Sequence, residues 1–346
     1  MRKILLTIIL ILTSYSAAFS QAGGFAGTFA RLGFGARGLS MGNAMVANIF
    51  GDVSGYYNPA LSTFQNEGVV NVGYTFMSLD RQLNFLNFAK KIEFPNQQIK
   101  GAGISISWIN SGVSDIDGRD NDTRQIGNFS TFDNQFYLGT GFIISDQVSV
   151  GVGFKYYYSK LFEEVTSTSI AFDIGAIVRP TPNLAIGLTV RDLNAQNEWN
   201  TSNIYGSLFG NTTIDKYPTL INLGGSYLLP NNIGVVSIEG QYQKNPTIED
   251  NFAFVDPEAV TPEVKDNVSF KVGGEVFLTP QINVRAGLER IDFGSDDVMG
   301  NLKPSLGVGF YKMLGKTMKL GVDYSFQLEP YSHDPIQNIS IGFKFK

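Results

Sequence analysis

The chain has 346 residues, 38 of them Gly and none Cys, and only 16% are charged, against roughly 25% in ordinary soluble domains. Without Cys there are no disulfides and no thiolate chemistry, and a net charge of −5 with no concentrated basic face excludes nucleic acid as a partner. A mean hydropathy of −0.00 is too low for a bundle of membrane helices and is what strands of alternating apolar and polar residues give.

At the N-terminus, Arg2 and Lys3 precede the apolar run Ile4 to Leu12, and small residues follow. This reads as a secretory signal peptide over 1–20, cut between Ser20 and Gln21. Residues 21–67 follow no strand pattern. They are crowded with Gly and Ala and carry Phe25, Phe29, Leu32, Phe34, Leu39, Met41, Ile49 and Phe50, which a solvated tail would not expose. The expectation is a segment folded inside a barrel, since a wide barrel leaks unless something fills its lumen.

From residue 68 the chain divides into segments of about ten residues that alternate apolar with small or polar side chains. This is the period of a strand with one face to lipid and one to an interior. The predicted strands are 68–78, 82–91, 101–110, 133–144, 148–159, 167–178, 184–191, 219–228, 234–244, 268–278, 282–291, 304–313, 317–327 and 337–346. In the fifth, Val148, Val150, Val152, Phe154, Tyr156 and Tyr158 share a face, with Ser149, Gly151, Gly153 and Lys155 on the other. Short turns such as Ser145 to Gln147 and Thr279 to Gln281 alternate with longer polar loops at 111–132, 160–166, 192–218, 245–267, 292–303 and 328–336. The predicted fold class is therefore all-β, an antiparallel transmembrane barrel of about fourteen strands at 68–346 with an N-terminal plug. Its location is the bacterial outer membrane, its short turns are periplasmic and its long loops lie outside.

Within the plug, Pro59 fixes φ and disfavours the helical region at Asn58, so Asn58-Pro59-Ala60 makes a rigid bend. Arg37 is the only cation between residue 32 and the first strand, and inside a barrel it needs carboxylate or carbonyl partners. The run Arg37, Gly38, Met41, Gly42, then Asp52, then Asn58, Pro59, Ala60 resembles the plug region of FadL-type outer-membrane proteins, in particular the PorV/PorQ branch. Leu61 stands where that branch usually has Gly. The FadL resemblance implies a plugged fourteen-stranded barrel and, in uptake members, passage of hydrophobic molecules such as long-chain fatty acids. The PorV/PorQ resemblance implies a non-enzymatic role in type IX secretion, with secretion proteins or cargo as partners alongside outer-membrane lipids.

With the apolar faces outward, Lys155, Asp173, Arg191, Glu239, Gln241, Lys271, Glu275, Arg285, Glu289, Lys319 and Asp323 point into the lumen. Lys271 and Glu275 are expected to face Arg285 and Glu289 across neighbouring strands as an ion-pair ladder on the wall; a dock for the plug or a polar conduit is the other reading. A charged lumen disfavours a greasy tunnel, which tips the expectation toward secretion and leaves a hydrophobic ligand as the alternative. Asp115, Asp117, Asp120 and Asp122 lack the distal Glu of a calcium loop and read as a solvated acidic loop. His333 is the only histidine and stands in a polar loop, so neither a catalytic site, a resident metal nor a cofactor is expected.

Overall fold

A computed structural model describes residues 25–52, 54–94, 100–246, 266–293, 298–330 and 334–345; the expected signal peptide and His333 lie outside them. Among the described residues sixteen strands follow in chain order. They are β1 Gly68–Phe76, β2 Gln82–Glu93, β3 Gly101–Arg119, β4 Gln125–Ile143, β5 Val148–Phe162, β6 Val165–Thr181, β7 Leu184–Leu193, β8 Gln196–Asn200 and β9 Thr212–Lys216. Then come β10 Thr219–Leu228, β11 Gly234–Lys244, β12 Asn267–Thr279, β13 Ile282–Ile291, β14 Lys303–Leu314, β15 Met318–Gln327 and β16 Ile336–Phe345.

Fourteen of them close into one antiparallel barrel, β1 to β7 followed by β10 to β16, and β8 and β9 form a separate hairpin. Closure pairs β1 with β16, Gly68 opposite Phe345 and Val70 opposite Phe343, so no open edge remains to be satisfied in lipid. Every predicted strand is present, because alternation specifies which residues face lipid. In β5, Val150, Val152, Phe154, Tyr156 and Tyr158 are exposed on the outside while Ser149, Lys155, Tyr157 and Ser159 are buried within. Among the described residues no helix is long and apolar enough to cross a membrane.

Three of the predicted loops contain regular structure, the shortest, 160–166, being the end of β5 and the start of β6 paired as far as Phe162 opposite Val165. The stretch 111–132 is mostly strand, since β3 and β4 continue as a hairpin whose pairing reaches Arg119 opposite Gln125. The 192–218 loop contains the β8–β9 hairpin and a short helix, Ser202–Tyr205. This hairpin folds back over the lumen, where the backbone N–H groups of Gln196 and Glu198 donate to Ser169 and Ser167 of β6 at 3.0 and 2.8 Å.

The described residues of the stretch 25–67 fill the interior. A 3-10 turn, Thr28–Arg31, leads to the short helix α1, Gly35–Ser40, and a second 3-10 turn, Pro59–Phe64, delivers the chain to β1. Asn58 is extended (φ −161°, ψ 120°) and its side chain caps Ala60, so the expected bend is present and Pro59 opens a helical turn behind it. Phe34 sits between Tyr56 (5.1 Å) and Phe85 of the wall (4.5 Å), and Met41, Ala60 and Leu61 are fully buried.

The wall makes room for this backbone with a ribbon of glycines. Gly103, Gly141, Gly151 and Gly175 stand in register across β3 to β6. A Cβ on any of them would come within 2.1–2.7 Å of residues 58–63. Opposite, Gly273 and Gly287, paired across β12 and β13, leave space for the backbone of Met41 and Gly42. The plug thus lies flush against both sides of the barrel, which side chains longer than hydrogen would prevent.

Candidate functional site: the plug and its docks

Three wall glutamates receive the plug. Glu275 accepts from Arg37 Nε and Nη2 at 3.0 and 2.8 Å through one oxygen and from wall residues Arg285 and Asn283 at 2.8 and 3.0 Å through the other. Glu239 accepts the backbone N–H groups of Met45 and Val46, both at 3.0 Å, and its second oxygen pairs with Lys271 at 3.0 Å. Glu289 accepts from Asn43 at 2.9 Å and from Gln327 at 3.1 Å. All three are buried, and each joins one plug donor or donor pair to one or more wall donors. That is how a charge is kept in a low-dielectric interior.

The motif residues serve the same attachment. Arg37 also donates to the carbonyls of Asp52 at 2.7 Å and Phe50, tying α1 to the chain fifteen residues on. The side chain of Asp52 pairs with Lys344 of β16. Gly38 is close under Tyr57, whose hydroxyl would lie 1.9 Å from a Cβ there; that hydroxyl accepts from Phe34 N–H at 2.9 Å and donates to Asn43 at 2.8 Å. Gly42 has φ +58° and faces the backbone of Leu288. Asn58 donates to the carbonyls of Val46 and Ala176 at 2.9 and 3.2 Å, joining two plug turns to β6.

The predicted lumen charges all face inward, but their pairing differs from the expected ladder. Glu275 and Arg285 are cross-strand neighbours as expected. Lys271 instead stands opposite Glu239 on the other side, so Glu289 is left for the plug. Arg285 goes on to Asp323 at 2.6 Å and Tyr311 at 2.5 Å, and Lys319 lies 4.5 Å from the centre of the Tyr311 ring. Arg37, Asp52, Glu275, Tyr311, Lys319 and Lys344 line a pocket of about 220 Å³ at the end of the barrel that carries the short turns.

A second charged cluster lies across the lumen. Lys155 pairs with Asp173 at 2.9 Å and with Asp192 at 2.6 Å, and Tyr157 donates to Asp192 at 2.8 Å. Strict alternation would aim Asp192 at lipid. Instead β7 carries a bulge, with pairing that jumps between Phe172 and Ile174 and φ +60° at Asp192, so Arg191 and Asp192 are both buried inside. The guanidinium of Arg191 sits 4.5 Å from the centre of the Tyr56 ring, within cation–π range of the plug.

Outside, the acidic loop serves itself. Asp120 accepts the N–H groups of Asp122 and Arg124 at 2.9 Å, and Asp117 pairs with Arg119 at 2.8 Å. Among the described residues no group of three acidic or histidine side chains is placed to hold a metal. On the β8–β9 hairpin, Leu208 and Phe209 are 88% and 83% exposed beside Ile204 and Tyr205.

No family model and no curated protein matches the sequence. The fold has solved counterparts. The chain is similar to the CymD monoaromatic hydrocarbon channel, 11% identical with a TM-score of 0.60 over 91% of this chain and 98% of that one. It is similar to the Pseudomonas putida toluene transporter TodX at 11% identity, TM-score 0.60, over 90% and 98%. A Pseudomonas aeruginosa FadL homologue matches at 12% identity, TM-score 0.57, over 94% and 99%. At these identities the likeness shows the fold, which is that of a hydrocarbon channel, a toluene transporter and a FadL homologue.

Proposed function

We propose that this protein is a non-enzymatic, plugged outer-membrane barrel of the FadL-like kind that admits hydrophobic small molecules, long-chain fatty acids or monoaromatic hydrocarbons among them. The observation that carries this reading is the likeness over nine-tenths of the chain to a monoaromatic hydrocarbon channel, a toluene transporter and a FadL homologue. The charged lumen, which by itself spoke against a greasy path, is compatible with it: Glu239, Glu275 and Glu289 are engaged by the plug and by wall donors rather than presented to a solute. The exposed apolar tip at Leu208 and Phe209 supports capture of apolar molecules from outside, since isolated patches of this sort on outer loops mark interaction sites.

The type IX secretion role implied by the PorV/PorQ resemblance rested on Arg37 to Gly42, Asp52 and Asn58 to Ala60. Those residues have full structural employment holding the plug, so the motif alone no longer argues for a protein partner, and the structural neighbours favour uptake. The test is uptake of radiolabelled toluene and of a radiolabelled long-chain fatty acid by cells deleted for their own channels of this type. Expression of this protein should raise the initial rate for at least one of them. Unchanged rates for both, together with secretion-system subunits recovered from a pull-down, would return the account to secretion.

A further inference from the structure

The pocket between the plug and the short-turn end of the barrel carries one cation too many. Arg37, Lys319 and Lys344 line it against Asp52 and Glu275. Arg37 is matched with Glu275 at 2.8 Å and Lys344 with Asp52. Arg285, just behind, has Asp323 at 2.6 Å. Among the described residues Lys319 has no carboxylate partner: its ammonium rests over the Tyr311 ring, 4.5 Å from the centre, and Glu67, where the plug meets β1, is exposed and forms no ion pair with it. Inward lysines elsewhere on the wall differ, for Lys155, Lys271 and Lys303 each meet a carboxylate at 2.6–3.2 Å.

Register sharpens the surplus. Lys319 and Lys344 stand directly opposite each other across β15 and β16, and both face the pocket. Like charges in that position repel unless something negative lies between them, and Asp52 answers only one of the two.

There is room for the missing charge. The pocket holds about 220 Å³, against the roughly 10–15 Å³ that a single water needs, and Thr279 and Pro280 at its rim are exposed. The Asn283 amide and the Tyr311 hydroxyl already donate to Glu275 and Asp323, so the free donors are those of the two lysines. One unmatched positive charge calls for one negative charge, and a multiply charged anion would be repelled by Asp52 and Glu275 in the same lining. Phe277 and Pro280 supply an apolar side. A carboxylate on a short apolar or aromatic body fits both features, its oxygens bridging the two ammonium groups by charge-assisted hydrogen bonds.

We propose that this pocket is a carboxylate-binding site at the short-turn mouth of the barrel, with Lys319 as its principal contact and Lys344 sharing the anion. Such a site goes beyond uptake itself and stands whichever solute passes the plug.

The test is binding of para-fluorobenzoate to the purified full-length protein in an uncharged detergent. It is followed by fluorine NMR line broadening at about 0.15 M chloride, where exposed charges are screened. Wild type should bind it, and bind neutral para-fluorobenzamide at least about tenfold more weakly. Lys319→Met keeps the stem over Tyr311 and should weaken benzoate binding at least about tenfold, the loss expected with one hydrogen bond to a charged group. Lys319→Arg, which keeps the charge, should stay within about threefold of wild type. Lys312→Met, an exposed lysine of β14 at the same end, should change nothing and so controls for overall charge. Absence of benzoate binding by wild type, equal binding of the amide, or a Lys319→Met variant that binds as tightly as wild type would overturn the proposal. Displacement of benzoate by sulfate as readily as by acetate would overturn it too, by marking a general anion site. Where Lys319→Met does not fold by its gel mobility, Lys319→Gln carries the same test.

Discussion

The two halves of the inner wall treat the same plug in opposite ways. From β11 to β15 the plug is bolted: Glu239, Glu275 and Glu289 each accept from it and from the wall. From β4 to β7 and β10 the charges are satisfied chiefly among themselves, Lys155 with Asp173 and Asp192. There the plug is held mainly by close approach to glycines and by the Asn58 corner. The difference is one of kind rather than of attachment, for the plug also bonds this wall, Thr63 to Ser149 at 3.0 Å and Asn58 to the Ala176 carbonyl at 3.2 Å.

Removing the strongest bolt should break this arrangement most. Glu275→Ala leaves Arg37 and Arg285 buried without their shared carboxylate. Losing one member of a buried ion pair costs about 3–5 kcal/mol, read as a lower midpoint for thermal loss of the folded gel band. Adding Arg37→Met should recover part of the loss, because the two changes share one interaction. Gly175→Val tests the other side. Its first carbon would lie 2.1 Å from Asn58 Oδ1, and overpacking of that kind costs about 1–3 kcal/mol while making the plug accessible to protease. Glu289→Ala removes the acceptor of Asn43 and Gln327 and should cost about 1–2 kcal/mol, roughly one hydrogen bond's worth for each. Smallest in stability is the double change Leu208→Ser with Phe209→Ser, within about 0.5 kcal/mol because both are exposed. It should nevertheless lower the initial uptake rate of hydrophobic solute, which separates capture from closure.

The barrel was legible in the sequence because lipid enforces period two over whole strands, as Val148 to Tyr158 illustrates. The rule lapses where lipid ends. In residues 111 to 119 and 125 to 132 the apolar side chains, Val113, Ile116, Ile126, Phe129 and Phe132, recur every third residue rather than every second and so read as loop, although β3 and β4 continue there. It also lapses at bulges: Asp192 sits one residue out of phase with the inward set, and a turned backbone rather than alternation brings it to Lys155. Of the site, Arg37 announced its need for partners by being a lone cation among apolar residues. Which carboxylate would meet it depended on strand register, as did the choice of Glu239 rather than Glu289 beside Lys271. Neither register nor the plug's path is encoded by composition, and the ladder reading followed from treating the wall without its filling.

Conductance in planar bilayers tests the closure most directly. The wild-type barrel is expected to show no open-pore current steps, and the triple variant Glu239→Ala, Glu275→Ala, Glu289→Ala, still folded by its gel mobility, to show them once the plug is unbolted. A folded triple variant as silent as wild type, or a wild type that conducts like an open pore, would contradict it.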